Sequence, residues 1–499
     1  MNHNGPHEAS ATRELWSPTR REFLIRASSA AAIAVGGLTG IPLTANTAHA
    51  QDAPQPDWRF CGKCHGLFFS GANCSYFREN QHCPAGGLHC PLGHNFLLSH
   101  DIEETSTAQR NWRFCTNCHG LFFSGVDGSY HRENQRCTAG GLHNPAGHNF
   151  VLDYPRLIPP PGRRGGTLRD RLGVDALGAQ KDWRFCTNCH VLFFSGVDGS
   201  YHRENQRCFA GGLHNPAGYN FLLWYQPAPP VQTTAVQHFI QGLYVLPRED
   251  ATAGTGADRG LVADGTLMRS VNAIQMWFCE QTCGSRLNIR PEIRTVRLNE
   301  TDAQIAAQGW QVRDHIEELL GGMGFNDPHT MYAVWYEGSS NHACGGASWP
   351  TGVTTTPLQL RGHVAALYLR AAYDVLDENG RPVLDANGQP QRVNCANDQF
   401  TADGVAPAIN EFKMVHEILH TMGFVHPAAP HHHAGGHTND DPQDLLFRAP
   451  PGLRVDWRPS VIDPGHDDYF QTGRTDIIDL SRSVFLDPLP PDAQPPPGW

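Results

Sequence analysis

The chain has 499 residues, enough for two or more domains that each bury a core. Its formal net charge is −11 and 17% of its residues are charged, so no basic face points to nucleic acid. Glycine (51) and proline (37) are abundant and no heptad runs through the chain, which excludes a long helical bundle and favours a loop-rich fold.

Residues 1–50 read as an export segment that takes no part in the fold. Thr19-Arg20-Arg21-Glu22-Phe23-Leu24 resembles a twin-arginine signal. A weakly apolar stretch from Ala27 to Leu43 follows, broken by Gly36, Gly37 and Gly40, and it is short for a stable span. Ala48-His49-Ala50 places small residues around a cut that leaves Gln51 first. The resemblance implies a periplasmic or secreted protein, released from the membrane after crossing it folded. Fifteen cysteines in that setting suggest disulfides. Eleven of them lie between Cys61 and Cys208 and four beyond, so two kinds of cysteine site are expected.

Residues 51–225 contain one module three times, at 58–98, 112–152 and 183–223. Each copy opens on Trp-Arg-Phe-Cys-x-x-Cys-His, at Trp58, Trp112 and Trp183, and continues with Leu-Phe-Phe-Ser-Gly. Short aromatic runs bounded by glycine-rich turns predict strands, hence an all-β repeat region. A flexible linker is expected near 153–182. The residues shared by all copies are Cys61, Cys64, Cys83 and His89; Cys115, Cys118, Cys137 and His143; and Cys186, Cys189, Cys208 and His214. Three thiolates and an imidazole at this constant spacing suit a structural zinc ion, giving three such sites. Disulfides are the competing reading, although three shared cysteines cannot all pair within a copy; Cys74 and Cys90, present in copy one alone, could bridge. A third reading is c-type haem, because each knuckle is Cys-x-x-Cys-His. The absence of methionine between Gln51 and Met268 and the shared third cysteine count against it. The copies could form one trefoil-like barrel or separate beads, and act as a spacer or as a module binding glycan or a cell surface.

A Pro-rich linker at 226–234 leads into residues 235–487, where strands and helices alternate in an α/β pattern with a mixed sheet. Strands are predicted at His238–Leu246, Arg294–Leu298, Met331–Tyr336 and His363–Leu369, and helices at Gly265–Phe278 and Ala303–Leu320. Pro407 suits the start of a further helix running through Met422. There Met414, Val415, Ile418, Leu419 and Met422 form an apolar stripe, and His416 and His420, four apart, share a face. Two such imidazoles can ligate one zinc, with Glu417 beside them to take a proton from water whose pKa the metal lowers. Gly423 in a left-handed turn would bring round His426 as third ligand.

His416-Glu417-Ile418-Leu419-His420-Thr421-Met422-Gly423-Phe424-Val425-His426 resembles the zinc motif of the metzincin metallopeptidases. The resemblance implies a zinc-dependent endopeptidase acting on a protein or peptide substrate, with His416, His420 and His426 as ligands and Glu417 as general base. Metzincins carry a methionine turn beneath the metal. Here no methionine follows Met422, and Asp444-Leu445-Leu446-Phe447 is the candidate for that turn, without a hydroxyl at Phe447. The alternative is a surface or glycan-binding protein whose zinc domain is inactive.

Several smaller expectations complete the reading. His431, His432, His433 and His437 form a solvated rim in which any one could replace His426 or bind a second metal. Cys279 pairs with Cys283 and Cys344 with Cys395. The acidic run Asp463–Asp468 is a solvated loop or a calcium site, and the Pro-rich tail 488–499 is disordered.

Overall fold

The computed structural model describes residues 53–74, 76–154, 177–227, 233–350, 360–375, 381–385, 387–448 and 457–499. The export segment 1–50 lies outside the described residues, as do most of the linker near 153–182 and part of the Pro-rich linker. No helix among the described residues is long and apolar enough to cross a membrane.

Each copy of the module folds into three strands. They are β1 (Gln55–Cys61), β2 (Leu67–Phe69) and β3 (Pro91–His100) in copy one; β4 (Ala108–Cys115), β5 (Leu121–Phe123) and β6 (Pro145–Asp153) in copy two; and β7 (Gly178–Cys186), β8 (Leu192–Phe194) and β9 (Pro216–Gln226) in copy three. Within a copy the first strand pairs antiparallel with both others, and its tryptophan lies opposite a phenylalanine of the third: Trp58 with Phe96, Trp112 with Phe150, Trp183 with Phe221. Each tryptophan also packs edge-on against the phenylalanine of another copy, Trp58 on Phe150, Trp112 on Phe221 and Trp183 on Phe96, at 5.0–5.2 Å. The backbone repeats the cycle. Phe69 N–H donates to His119 O, Phe123 N–H to His190 O, and Phe194 N–H to His65 O. The three copies therefore close on one another and do not stand apart as beads. A unit of about 41 residues cannot bury its own tryptophan, and three in a ring can.

The C-terminal region is a three-layer α/β unit. Its sheet has the order β12 (Ile289–Thr301), β10 (Phe239–Arg248), β13 (Thr330–Tyr336), β17 (Val364–Tyr368), β14 (Gly345–Gly346). The first four strands are parallel and β14 is an antiparallel edge. Along β13 the residues alternate strictly. Met331, Ala333 and Trp335 face helices α1 (Thr266–Gln281) and α4 (Ile409–Met422); Tyr332, Val334 and Tyr336 face α3 (Val312–Gly322). Both faces of the inner strands β10, β13 and β17 are covered, which is why these are largely apolar, while the edge strand β12 alternates buried and charged residues. The single helix predicted at Ala303–Leu320 is divided into α2 (Asp302–Ala306) and α3, because Gly309 takes a left-handed φ of 60° between them.

Two predicted disulfides are corrected. Cys74 pairs with Cys283 and Cys90 with Cys279, while Cys344 pairs with Cys395. Copy one has cysteines where copies two and three have glycine or asparagine, and it is the copy that meets the C-terminal end of α1. Lys63, in place of Asn117 and Asn188, reaches Glu280 Oε2 there at 2.7 Å with both side chains buried, and Leu88 N–H donates to Glu280 Oε1.

The tail 488–499 is also ordered. It follows β22 (Leu486–Asp487), which pairs with β11 (Arg286–Leu287), and Gln494 bonds back to the backbone of Arg482 and Val484. Trp499 stacks on His363 at 3.9 Å and meets Phe485 edge-on. Proline content did not prevent order where an aromatic anchor could cover apolar surface.

Candidate metal centre and cleft

Helix α4 is anchored at its start by Glu411, whose carboxylate accepts from the backbone N–H of Ala408 and Thr401 at 2.8 and 2.9 Å. Pro407 lies just before this cap, two positions ahead of its expected place at the start of the helix. The stripe from Met414 to Met422 is buried against the sheet, which turns His416, Glu417 and His420 towards the β14 edge. His420 Nε2 lies 3.1 Å from His416 Nε2 and 3.2 Å from His437 Nε2. Tetrahedral zinc with Zn–N near 2.0–2.1 Å needs ligand atoms about 3.3–3.4 Å apart, so the three nitrogens fit one ion. His416 Nδ1–H donates to Leu445 O at 2.7 Å and His437 Nδ1–H to Ala434 O at 3.2 Å, which leaves both Nε2 lone pairs for a metal. Burial lowers the pKa of all three rings, that of His416 to about 4, and the Arg448 charge adds to it against the pull of the Leu445 and Ala434 carbonyls, so the rings are held neutral.

The third histidine of this group is His437, and His426 is not part of it. Gly423 does not turn left-handed. The chain leaves α4 extended, packed so closely that a Cβ on Gly423 would fall 2.5 Å from Leu480. Val425 N–H then donates to Gly436 O, and His426 Nδ1 accepts from Ala428 N–H. The histidine loop expected to be a solvated rim is a hairpin of β20 (His432–His433) and β21 (His437–Thr438). Gly435 and Gly436, both at positive φ, turn it and deliver His437 inwards. Thr438 N–H donates to Leu446 O and Arg448 N–H to Thr438 O, so the hairpin is laced to the Asp444–Phe447 turn. In that turn Leu445 and Leu446 are fully buried, and Asp444 accepts from Tyr469 O–H at 2.6 Å and Thr438 O–H at 3.0 Å. The Gly-Gly step before His437 was the sequence signal for this residue, since it marks a reversal that presents the next residue.

The Asp463–Asp468 run is also different from its expectation. Asp463 is buried and accepts the backbone N–H groups of Asp468, Tyr469 and Phe470, and Asp468 meets His431 Nδ1 at 3.0 Å. These carboxylates already have donors within the chain.

Glu417 lies beside the histidines at the base of a cleft of about 570 Å³. Burial raises its pKa to about 8, against the pull of Lys413 and Arg313. Its carboxylate abuts β14 so closely that a Cβ on Gly345 would fall 2.5 Å from Glu417 Oε1 and 2.9 Å from Ala366 O. Only glycine brings that strand against the carboxylate.

The repeat ligands are brought together in every copy, all buried. Cys61 and Cys83 are 3.8 Å apart, Cys115 and Cys137 3.9 Å, Cys186 and Cys208 3.8 Å. The distances from Cys64 to His89 Nδ1, Cys118 to His143 Nδ1 and Cys189 to His214 Nδ1 are 3.6, 3.5 and 3.6 Å. Tetrahedral zinc with Zn–S near 2.3 Å predicts about 3.8 Å between sulfurs and about 3.6 Å from sulfur to nitrogen. A disulfide would need about 2.05 Å. Each Cys3His group can therefore hold a metal ion. The histidines that follow each knuckle, His65, His119 and His190, serve as the joints between copies described above. A further group, His100, Asp101 and His148, has a packing explanation. His100 stacks on His148 at 3.7 Å as His94 does on Tyr225 and Tyr154 on Tyr219, the same contact at three places in the ring.

No known family model, curated protein or solved structure matches the chain.

Proposed function

We propose that the protein is an exported zinc-dependent endopeptidase of metzincin-like design, with His416, His420 and His437 holding the catalytic zinc and Glu417 as general base. The observation that carries this reading is three neutral Nε2 atoms at the spacing of one tetrahedral ion, beside a buried carboxylate at the base of a cleft. A zinc ion held there supplies a Lewis acid for the scissile carbonyl and a water of lowered pKa. Glu417, whose pKa is already lifted by burial, would serve as the general base towards water and as the proton donor to the departing amine. The positive charge of the ion would draw the Glu417 pKa down towards neutrality, where a base is most effective. Strand β14 pairs on one side with β17, and an extended substrate adds along its other side, past Glu417. The sheet order, with a lone antiparallel edge strand above the helix, supports the metzincin likeness.

The three Cys3His groups hold structural zinc and staple a trefoil-like ring that has too small a core for one copy. The three disulfides support an oxidising destination, and with it the export reading.

The test is Glu417→Gln in the full chain after the export segment. It should keep its zinc and lose peptidase activity by at least about 10²-fold. Wild-type protein that cleaves no member of a broad peptide library refutes the proposal.

A further inference from the structure

The cleft lining contains two cationic side chains, Lys413 and Arg448. Lys413 is committed, its amine paired with Asp398. The Arg448 guanidinium is exposed, and no acid among the described residues pairs with it. The backbone that carries it is held in place. Arg448 N–H donates to Thr438 O, the residue after His437, and Phe447 beside it is buried and bridged to Thr438. One ladder thus brings together the third histidine, the carbonyl that orients His416 and the backbone of Arg448, whose side chain lines the same cleft.

Carboxylates elsewhere in the C-terminal region take up other arginines. Arg313 is held by Asp314 and Glu317, and Arg259 and Arg370 by the buried Glu337. Guanidinium is the side chain best shaped to take a carboxylate through two parallel hydrogen bonds.

We propose that Arg448 is a specificity-determining residue that binds a carboxylate of the substrate, so that the cleft selects peptides with an acidic side chain close to the scissile bond. The inference rests on the peptidase reading for its kinetic arm and is independent of it for its binding arm.

The kinetic arm uses quenched fluorogenic decapeptides in pairs that differ by one Glu→Gln change at each position around the bond. At one position wild type should prefer Glu by about tenfold in kcat/KM, carried by KM, as expected for a charge-assisted contact at a partly open site. Arg448→Gln should bring that ratio to about one, Arg448→Lys should retain part of it, and Arg448→Glu should invert it in favour of Lys peptides. A wild-type ratio near one at all positions overturns the proposal. So does an Arg448→Gln variant that lowers kcat for Glu and Gln peptides alike with the ratio kept, because the arginine would then serve the reaction and not the choice of substrate.

The binding arm measures Kd by fluorescence anisotropy for the same pairs on zinc-loaded Glu417→Gln protein, with and without Arg448→Gln. Tighter binding of the acidic member that vanishes with Arg448→Gln supports the site. Equal binding of both members overturns it. If no peptide is cleaved by wild type, the peptidase reading has failed, and this arm alone decides the arginine.

Discussion

Replacing His437 with alanine, beside His426→Ala as its control, tests the ligand set directly. His437 Nε2 lies 3.2 Å from His420 Nε2, the separation of two ligands on one tetrahedral ion, whereas His426 is turned to its own loop. Four-ligand zinc sites bind with about 10–16 kcal/mol, so one ligand carries roughly 2.5–4 kcal/mol, or about 10²–10³ in affinity. The assay is zinc per chain after equilibration in metal buffers of graded free zinc. The three Cys3His groups provide an internal count against which the histidine site is read. Wild type should fill to four zinc ions, three at the Cys3His groups and one at His416, His420 and His437. His437→Ala should stop at three in a buffer that saturates wild type, and His426→Ala should still reach four. The opposite result, with His426→Ala short by one and His437→Ala full, would falsify the assignment.

Four further outcomes follow from the same structure. Because burial holds His416 at about 4 and His420 and His437 well below 6.5, their ligand form persists as pH falls through 6.5. Zinc affinity at this site should change by less than about twofold between pH 7.5 and 6, where three exposed histidines would lose roughly 50-fold; competition titration across that range decides. In metal-free protein the sign is the opposite of a stabilising histidine pair. Unfolded histidines take protons that the folded ones refuse, so folding weakens as pH drops from 6.5 towards 4. A protease site inserted between Pro229 and Pro230 should yield a cut chain that runs as one species on a non-reducing gel and as two after reduction, since two disulfides span the cut. Two bands without reductant refute that pairing. Glu280→Ala leaves the buried Lys63 ammonium without its counter-charge, held only by the carbonyls of Gly86 and Leu88, at a cost of about 3–5 kcal/mol, and adding Lys63→Asn, the residue of the other copies, should restore much of the melting temperature. An unchanged melting temperature for Glu280→Ala counts against the buried pair.

The spacing C-x2-C-x18-C-x5-H by itself determined which residues of each copy come together as a group that could hold a metal ion, because a knuckle and a tight return loop are local geometry that the three copies share. The placement of His416, Glu417 and His420 was equally legible, since a 3.6-residue helix puts residues four apart on one face whatever surrounds it. The inner strands β10, β13 and β17 could be read from their apolar runs, which parallel strands covered on both faces require, but the glycine edge strand β14 could not.

Other features depended on contacts distant in sequence. Whether the chain after Met422 curls back with His426 or runs straight and receives His437 is set by Leu480 and Ile478 pressing on Gly423, and by the Gly435–Gly436 hairpin bonding to Val425. The partners of Cys279 and Cys283 lie 189 and 209 residues away, and only the docking of copy one on α1 brings them near. The closure of the ring is visible only when Trp58 is seen to need Phe150 of another copy. Local periodicity determined which residues carry chemistry. Tertiary packing decided which of several equivalent histidines and cysteines meet, because that choice depends on close contacts between segments whose spacing along the chain carries no record of them.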